Sequence, residues 1–188
     1  MLFACHNKQE DYTMINNISE KKVDATLLEL VPEKGLVFFE NQLFTGTSTS
    51  FYDNDSLAES IDYLEGVKHG NHNKYFQNGL LSYKSSYKDG KQNGLTKSWW
   101  RNGNMRSELY IENGTGEGVQ KQFYQSGKLF KKTNLKEGRE YGLQQSWREN
   151  GKLYNNYEAK HGRIFGLKRA SLCFSLENEE VVLQSQNE

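Results

Sequence analysis

Apolar and polar positions along this chain repeat with a period of 24 residues. One apolar position per period forms a first aromatic column, which consists of Phe51, Tyr75, Trp99, Phe123 and Trp147. The position after it forms a second aromatic column, which consists of Tyr52, Phe76, Trp100 and Tyr124, with Arg148 in the last period. A leucine column follows, which consists of Leu57, Leu81, Met105, Leu129 and Leu153. A fixed period of this length is typical of stacked copies of one supersecondary unit.

Glycine recurs with the same period and predicts turns. Fifteen of the 17 glycines fall in three columns, which begin at Gly46, Gly66 and Gly79. A helical repeat is excluded, because three glycines per unit would each cost a helix about 1 kcal/mol. Asn-Gly or Ser-Gly stands between the second aromatic column and the leucine column, and Asn-Gly predicts a two-residue hairpin turn in which both residues have positive φ. The column that begins at Gly66 predicts a looser turn that links one hairpin to the next.

The pattern therefore predicts an all-β fold, an elongated single-layer antiparallel sheet of tandem 24-residue β-hairpin repeats. Five repeats are expected over residues 46–166, after a leading hairpin or cap over 22–45. Within that cap, a hairpin around the Pro32-Glu-Lys-Gly35 turn competes with a short helix over 23–31. The remaining segments are expected to be a polar N-terminal tether (1–21), a closing strand (167–176) and a polar tail (177–188).

The predicted turn sets which side chains share a face of the sheet. A two-residue Asn-Gly turn would pair Trp100 with Met105, Trp99 with Arg106 and Ser98 with Ser107. The second aromatic column would then share the apolar face with the leucine column. The first aromatic column would lie on the opposite, polar face, and a three-residue bulged turn would exchange the two.

Charge is unevenly distributed, although the chain as a whole has 24 basic and 24 acidic residues. Residues 1–69 have a net charge of -7 and residues 70–166 a net charge of +9. Two interpretations remain open: a solvated repeat face, or a basic surface for an acidic partner.

Residues suited to catalysis are not gathered in any motif. The four histidines, at positions 6, 69, 72 and 161, lack metal-ligand spacing with cysteines or with each other. The glycines of Gly114-Thr-Gly-Glu-Gly118 belong mostly to the repeat columns and lack the strand–loop–helix context of a phosphate-binding loop. We therefore expect a chain that is not an enzyme and that needs no cofactor or metal.

Single repeats resemble a known family. The unit Gly94-Leu-Thr-Lys-Ser-Trp-Trp-Arg-Asn-Gly103-Asn-Met, followed by Tyr-Ile-Glu-Asn-Gly114, is similar to the MORN repeat variant. Residues 35 to 173 resemble the YwqK-type antitoxin component family. The resemblance implies protein binding of the antitoxin or immunity kind, with a cognate toxin as the partner.

The candidate binding site is a row of rings among basic side chains. It comprises Phe51, Tyr75, Trp99, Phe123, Trp147, Lys97, Arg106, Lys121 and Lys132. Trp99 is expected to be the central anchor, stacked on Arg106. The alternatives are that the rings only stabilise the sheet, that the chain is an envelope-anchored structural or scaffold protein, or that the basic aromatic face binds anionic lipid or nucleic acid. Zero net charge disfavours nucleic acid.

The N-terminal sequence leaves the location open. Leu2-Phe-Ala-Cys5 resembles the end of a bacterial lipoprotein signal, in which Cys5 would receive the lipid, but a chance cysteine is the alternative. Location in the cell envelope follows from the first interpretation, and a cytoplasmic location from the second.

Overall fold

The computed structural model describes residues 21–168 and two short strands of residues 174–177 and 180–183. A single 3-10 turn, Ala25–Leu27, lies near the start of this region. The strands are β1 (Lys22–Asp24), β2 (Glu29–Val31), β3 (Leu36–Phe39), β4 (Gln42–Leu43), β5 (Gly46–Phe51), β6 (Leu57–Leu64), β7 (Val67–Tyr75), β8 (Leu81–Lys88), β9 (Lys91–Gln92), β10 (Gly94–Trp99), β11 (Met105–Glu112), β12 (Thr115–Phe123), β13 (Leu129–Lys136), β14 (Arg139–Glu140), β15 (Gly142–Trp147), β16 (Leu153–Lys160), β17 (Arg163–Leu167), β18 (Phe174–Glu177) and β19 (Glu180–Leu183).

One long open sheet contains most of these strands, which confirms the predicted fold class. From β5 to β17 the long strands pair antiparallel in chain order, and the short β9 and β14 extend the pairing of β8 and β13. The exception lies at the N-terminal edge, where β1 pairs parallel with β5. Strands β2, β3 and β4 form a small separate sheet, and β18 pairs with β19 in another.

The turn inside each hairpin has three residues, so the predicted two-residue turn is wrong. In the third unit the Gly103 N–H donates to the Trp100 carbonyl at 2.9 Å, and the Trp100 N–H donates to the Asn104 carbonyl at 2.8 Å. Gly103 has a φ of 87°, whereas Asn102 is not among the residues with positive φ. This is the type I turn with a glycine bulge. Asn102 suits it because its side-chain oxygen accepts a hydrogen bond from the Asn104 N–H at 3.1 Å.

The turn that links consecutive hairpins is the tight one, contrary to the sequence interpretation. Glu112 pairs with Thr115, so only Asn113 and Gly114 form the loop, with φ values of 49° and 85°. Both values are those of a type I′ turn. The Gly114 N–H also donates to the Gln92 carbonyl of the preceding unit at 2.8 Å. Equivalent bonds join Gly66 to Phe44, Gly90 to Lys68 and Gly138 to Gly116.

The three-residue turn changes the register next to it. Trp99 pairs with Met105, so the predicted pairs Trp100–Met105 and Trp99–Arg106 are wrong. The predicted pair Ser98–Ser107 is confirmed, because Arg106 forms a bulge that restores the register. Phe123 likewise pairs with Leu129, and Trp147 with Leu153.

The register assigns the columns to two faces, since directly opposed and alternate residues share a face. The first aromatic column shares its face with the leucine column and with Lys97, Lys121 and Lys132. We call this the lysine face. The opposite face, which we call the buried face, has its most shielded positions at Ser85 and Gln144, both 0% exposed.

The first repeat lacks the turn glycine, which allows a direct test of the turn. Asp55 stands in its place with a φ of 62°. Asp55→Gly should raise the free energy of unfolding by about 1 kcal/mol, because a left-handed conformation costs any residue with a Cβ about that much. Urea denaturation measures the gain. Asn54→Gly is the matched control and should lose stability, since the Asn54 side chain accepts the Ser56 hydroxyl at 2.7 Å. Equal effects would contradict the turn assignment.

Candidate binding surface

A row of lysines crosses the middle of the lysine face. Consecutive strands contribute one residue each, and these residues are cross-strand partners: Thr49, Ser60, Asn73, Lys84, Lys97, Glu108, Lys121, Lys132, Gln145 and Asn156. Lysine fills four of the five positions from Lys84 to Lys132. The row therefore concentrates positive charge on the third repeat and the strands that flank it.

Most of the lysines in the row have no acidic side chain as an ion-pair partner within the described residues. Glu108 receives a hydrogen bond from the Lys121 ammonium group at 2.9 Å. Within residues 21–168, Lys84, Lys97 and Lys132 take part in no ion pair. Lysines directly opposite one another repel, as at Lys84–Lys97 and Lys121–Lys132. An acidic ligand laid along the row would relieve that repulsion.

Apolar side chains border the lysine row on both sides. Two residues away along the strands, towards the linking turns, lie Leu95, Tyr110 and Val119, which are 47%, 47% and 41% exposed. Towards the hairpin turns lie the half-buried Trp99 and Phe123. Singly exposed apolar residues are ordinary, but a contiguous set around a charged row is typical of an interaction surface.

Most of the predicted site residues lie on this face. Lys97, Lys121 and Lys132 lie in the row, and all five rings of the first aromatic column lie beside it. The outer rings differ in surroundings, since Phe51 and Tyr75 neighbour Thr49 and Asn73 rather than lysines. Phe51 is 53% exposed.

Arg106 is the exception among the predicted site residues. Its guanidinium lies 4.8 Å from the centre of the Trp100 ring, on the buried face. The predicted stacking of Trp99 on Arg106 is therefore wrong, and its cause is the bulge described above. The sequence interpretation also missed Lys84, because its pairing with Lys97 depends on a two-residue shift of register between β9 and β10.

The second aromatic column connects neighbouring repeats through hydrogen bonds. The Tyr52 hydroxyl donates to the Tyr75 carbonyl at 2.7 Å, and the Trp100 indole N–H donates to the Phe123 carbonyl at 3.1 Å. The Tyr124 hydroxyl donates to the Trp147 carbonyl at 2.9 Å. Each acceptor belongs to a first-column residue of the next repeat, so these rings have a structural role.

Three ionisable side chains lie together on the buried face. His72, 6% exposed, places its Nε2 atom 2.7 Å from a Glu59 carboxylate oxygen, and Lys74 lies 3.1 Å from the same oxygen. Burial lowers the pKa of His72, although Glu59 opposes the shift. Burial also acts to raise the pKa of Glu59, but the hydrogen bonds from His72 and Lys74 outweigh it and lower that pKa. The two pKa shifts together favour an ionised Glu59 beside a neutral His72.

A groove of about 540 Å³ lies on the buried face between the leading cap and the first two repeats. Its walls are largely apolar, with Leu28, Val37, Ile61 and Tyr63 among them, and Glu59 at the polar side. The groove opens away from the lysine row, so the two surfaces are separate.

Two further observations concern the described residues only. No group of three or more His, Cys, Asp or Glu side chains there is arranged to hold a metal ion. No helix among them has the length and apolar character needed to cross a membrane.

Comparison with known families supports the repeat assignment at the centre of the array. Residues 92–113 and 116–137 each match the MORN repeat variant. The first match covers the β10–β11 hairpin and the second the β12–β13 hairpin. Repeats of this family generally mediate protein or membrane interactions and are generally non-catalytic. No curated protein matches the chain.

Proposed function

We propose that this chain is a non-catalytic repeat protein that binds an acidic protein segment through the lysine face. The observation that supports this function best is the row of lysines from Lys84 to Lys132, in which one carboxylate faces four ammonium groups. Apolar rims on both sides provide the area from which the partner would exclude water.

The sheet is well suited to occluding a partner. Its neighbouring strands are hydrogen-bonded to one another, and the second aromatic column joins one repeat to the next. A surface that is already ordered loses little conformational entropy on binding. This supports a finer proposal, that the chain acts as an antitoxin or immunity protein which covers the active surface of a toxin.

We also propose that the chain is attached to the cell envelope through a lipid on Cys5, which lies outside the described residues. A lipid on that cysteine would attach the chain to the membrane. A single acyl chain gives only marginal attachment, so a second contact would be needed for stable anchoring.

Reversing the charge of two lysines in the row should strongly weaken binding. We expect Lys97→Glu with Lys121→Glu to weaken binding of a flexible Glu- and Phe-containing peptide by more than about 10-fold, because two attractive contacts become repulsive. Fluorescence anisotropy of the labelled peptide measures the affinity.

Trp99→Ala should weaken binding with little loss of stability, as expected of an anchor ring.

The control is Lys88→Glu with Lys160→Glu, which changes the net charge equally at two exposed lysines of the same face that lie four residues from the row along their strands. This variant should bind as the wild type does. If both double variants lose affinity equally, net charge rather than the lysine row determines binding. If the product of an adjoining gene arrests growth, the wild type and the control variant should restore growth. The variant with Lys97→Glu and Lys121→Glu should not.

A further inference from the structure

We infer that the acidic segment bound by the lysine face is an α-helix that lies across the strands, with its acidic side chains along one line. This inference rests on the proposed function and specifies the shape of the partner. Its basis is the match between the dimensions of the lysine row and those of a helix.

The first dimension is the spacing along the row. Neighbouring strands are about 4.8 Å apart, so the five positions from Lys84 to Lys132 span about 19 Å. A helix returns to the same side every 5.4 Å or so, whereas an extended chain does so only every 6.6–6.8 Å or so. Over the four intervals the mismatch is about 2.4 Å for a helix and about 7–8 Å for a strand. Flexible lysine side chains absorb the smaller mismatch far more readily.

The second dimension is the distance between the two apolar rims. Leu95 and Trp99 lie two residues to either side of Lys97 on one strand. They are therefore about 13 Å apart along β10. A helix with its side chains is about 10–12 Å across. It would rest on the lysines and contact both rims with its flanking apolar residues.

The sheet itself leaves no room for a partner strand at this point. Strand β10 is hydrogen-bonded to β8 on one side and β11 on the other, and β11 also pairs with β12. Strand addition requires a free edge, and the lysine row lies in the interior of the sheet. Side-chain contacts alone must hold the partner here.

Glu108 interrupts the acidic pattern that is expected on the partner. It stands in the middle of the row with Lys97 and Lys121 as its neighbours. A partner carboxylate above it would be repelled, whereas a lysine there would be attracted. Because a helix returns to the same side after about 3.6 residues, the pattern is acidic at i, i+3, i+10 and i+14, with a basic residue at i+7.

The experiment uses designed 18-residue peptides and the whole chain. The test peptide has glutamate at i, i+3, i+10 and i+14, lysine at i+7, and leucine on the two flanks. A second peptide keeps every charge but has two prolines outside the contact line, which prevent a helix. A third peptide exchanges the lysine at i+7 with the glutamate at i+3. Isothermal titration measures the three affinities.

We expect the test peptide to bind at least about 10-fold more tightly than the proline peptide and several-fold more tightly than the exchanged peptide. Glu108→Lys should reverse the preference at i+7, so that a peptide with glutamate there binds better. The variant with Lys97→Glu and Lys121→Glu should bind none of the peptides.

Other outcomes overturn the inference in distinguishable ways. If the proline peptide binds as tightly as the helix and the lysine reversal weakens both, the helix is wrong and the proposed function stands. If no peptide binds but vesicles containing phosphatidylserine do, and the reversal abolishes that, the face binds lipid and both proposals are wrong. If neither peptides nor vesicles bind, both proposals are also wrong.

Discussion

Replacing Phe44 by alanine should lower the free energy of unfolding by about 3–5 kcal/mol, the usual cost of removing a buried phenylalanine. Phe44 is 1% exposed and its ring lies 6.2 Å from Phe39 and 5.8 Å from Tyr63, measured between ring centres. Val23 and Val37 complete this cluster of buried apolar residues. Urea denaturation followed by circular dichroism measures the loss.

Phe51→Ala is the matched control, since Phe51 is 53% exposed on the lysine face. It should cost about 1 kcal/mol or less, because little apolar surface leaves water at that site. Hydrogen exchange should show that Phe44→Ala exposes the amides of β3 and β6 before those of β12, since repeats depend mainly on their neighbours. Equal losses for the two variants would mean that the cap has no separate core.

Gly46→Ala should cost about 2–4 kcal/mol, the sum of overpacking and of an unfavourable φ. A Cβ atom on Gly46 would lie 2.4 Å from the Lys21 carbonyl oxygen and 3.1 Å from the Phe44 ring. The Thr47 N–H donates to that same carbonyl at 2.8 Å. Alanine would therefore push β1 away from β5. Thermal denaturation and hydrogen exchange at Val23 and Thr47 measure the effect.

The control belongs to the same glycine column. Gly118 has a φ of 73° and no atom within 4 Å of the added Cβ, so Gly118→Ala should cost only the conformational part, about 1–2 kcal/mol. If Gly46→Ala and Gly118→Ala destabilise equally, the contact with β1 contributes nothing. A smaller loss at Gly46 would place β1 elsewhere.

The repeat pattern was sufficient to predict the fold, because the period and the turn residues both require antiparallel neighbours in chain order. It was not sufficient to predict the turns. Asn102-Gly103 and Asn113-Gly114 have the same two letters, yet the first belongs to a three-residue loop and the second is a complete two-residue loop. In the first loop the Asn102 side chain accepts a hydrogen bond from the N–H of Asn104, but Ser126-Gly127 forms the same three-residue loop, so the asparagine alone does not determine the turn.

The candidate site could be predicted only in part, because the turns set the register of the strands. Lys97, Lys121 and Lys132 were predicted on the face of Trp99. Lys97 and Lys121 lie two residues before Trp99 and Phe123 on their own strands, and Lys132 pairs with Lys121 because the register is restored beyond the bulge. Arg106 is the bulged residue itself, and alternation cannot predict the side on which a bulged side chain lies. Lys84 was missed because its place beside Lys97 depends on a two-residue shift of register between β9 and β10, which alternation along a strand does not predict.

The backbone hydrogen bonds between consecutive linking turns affect how such an array can gain or lose repeats. Four of these junctions join a glycine N–H to a backbone carbonyl 22 residues earlier, and the carbonyl belongs in turn to phenylalanine, lysine, glutamine and glycine. Backbone atoms alone make the joint, so any duplicated 24-residue unit would arrive with its donor and acceptor already in place. Gene duplication or loss of whole units would then change the length of the protein without requiring new compensating substitutions. Insertions of any other length would separate the donor from its acceptor.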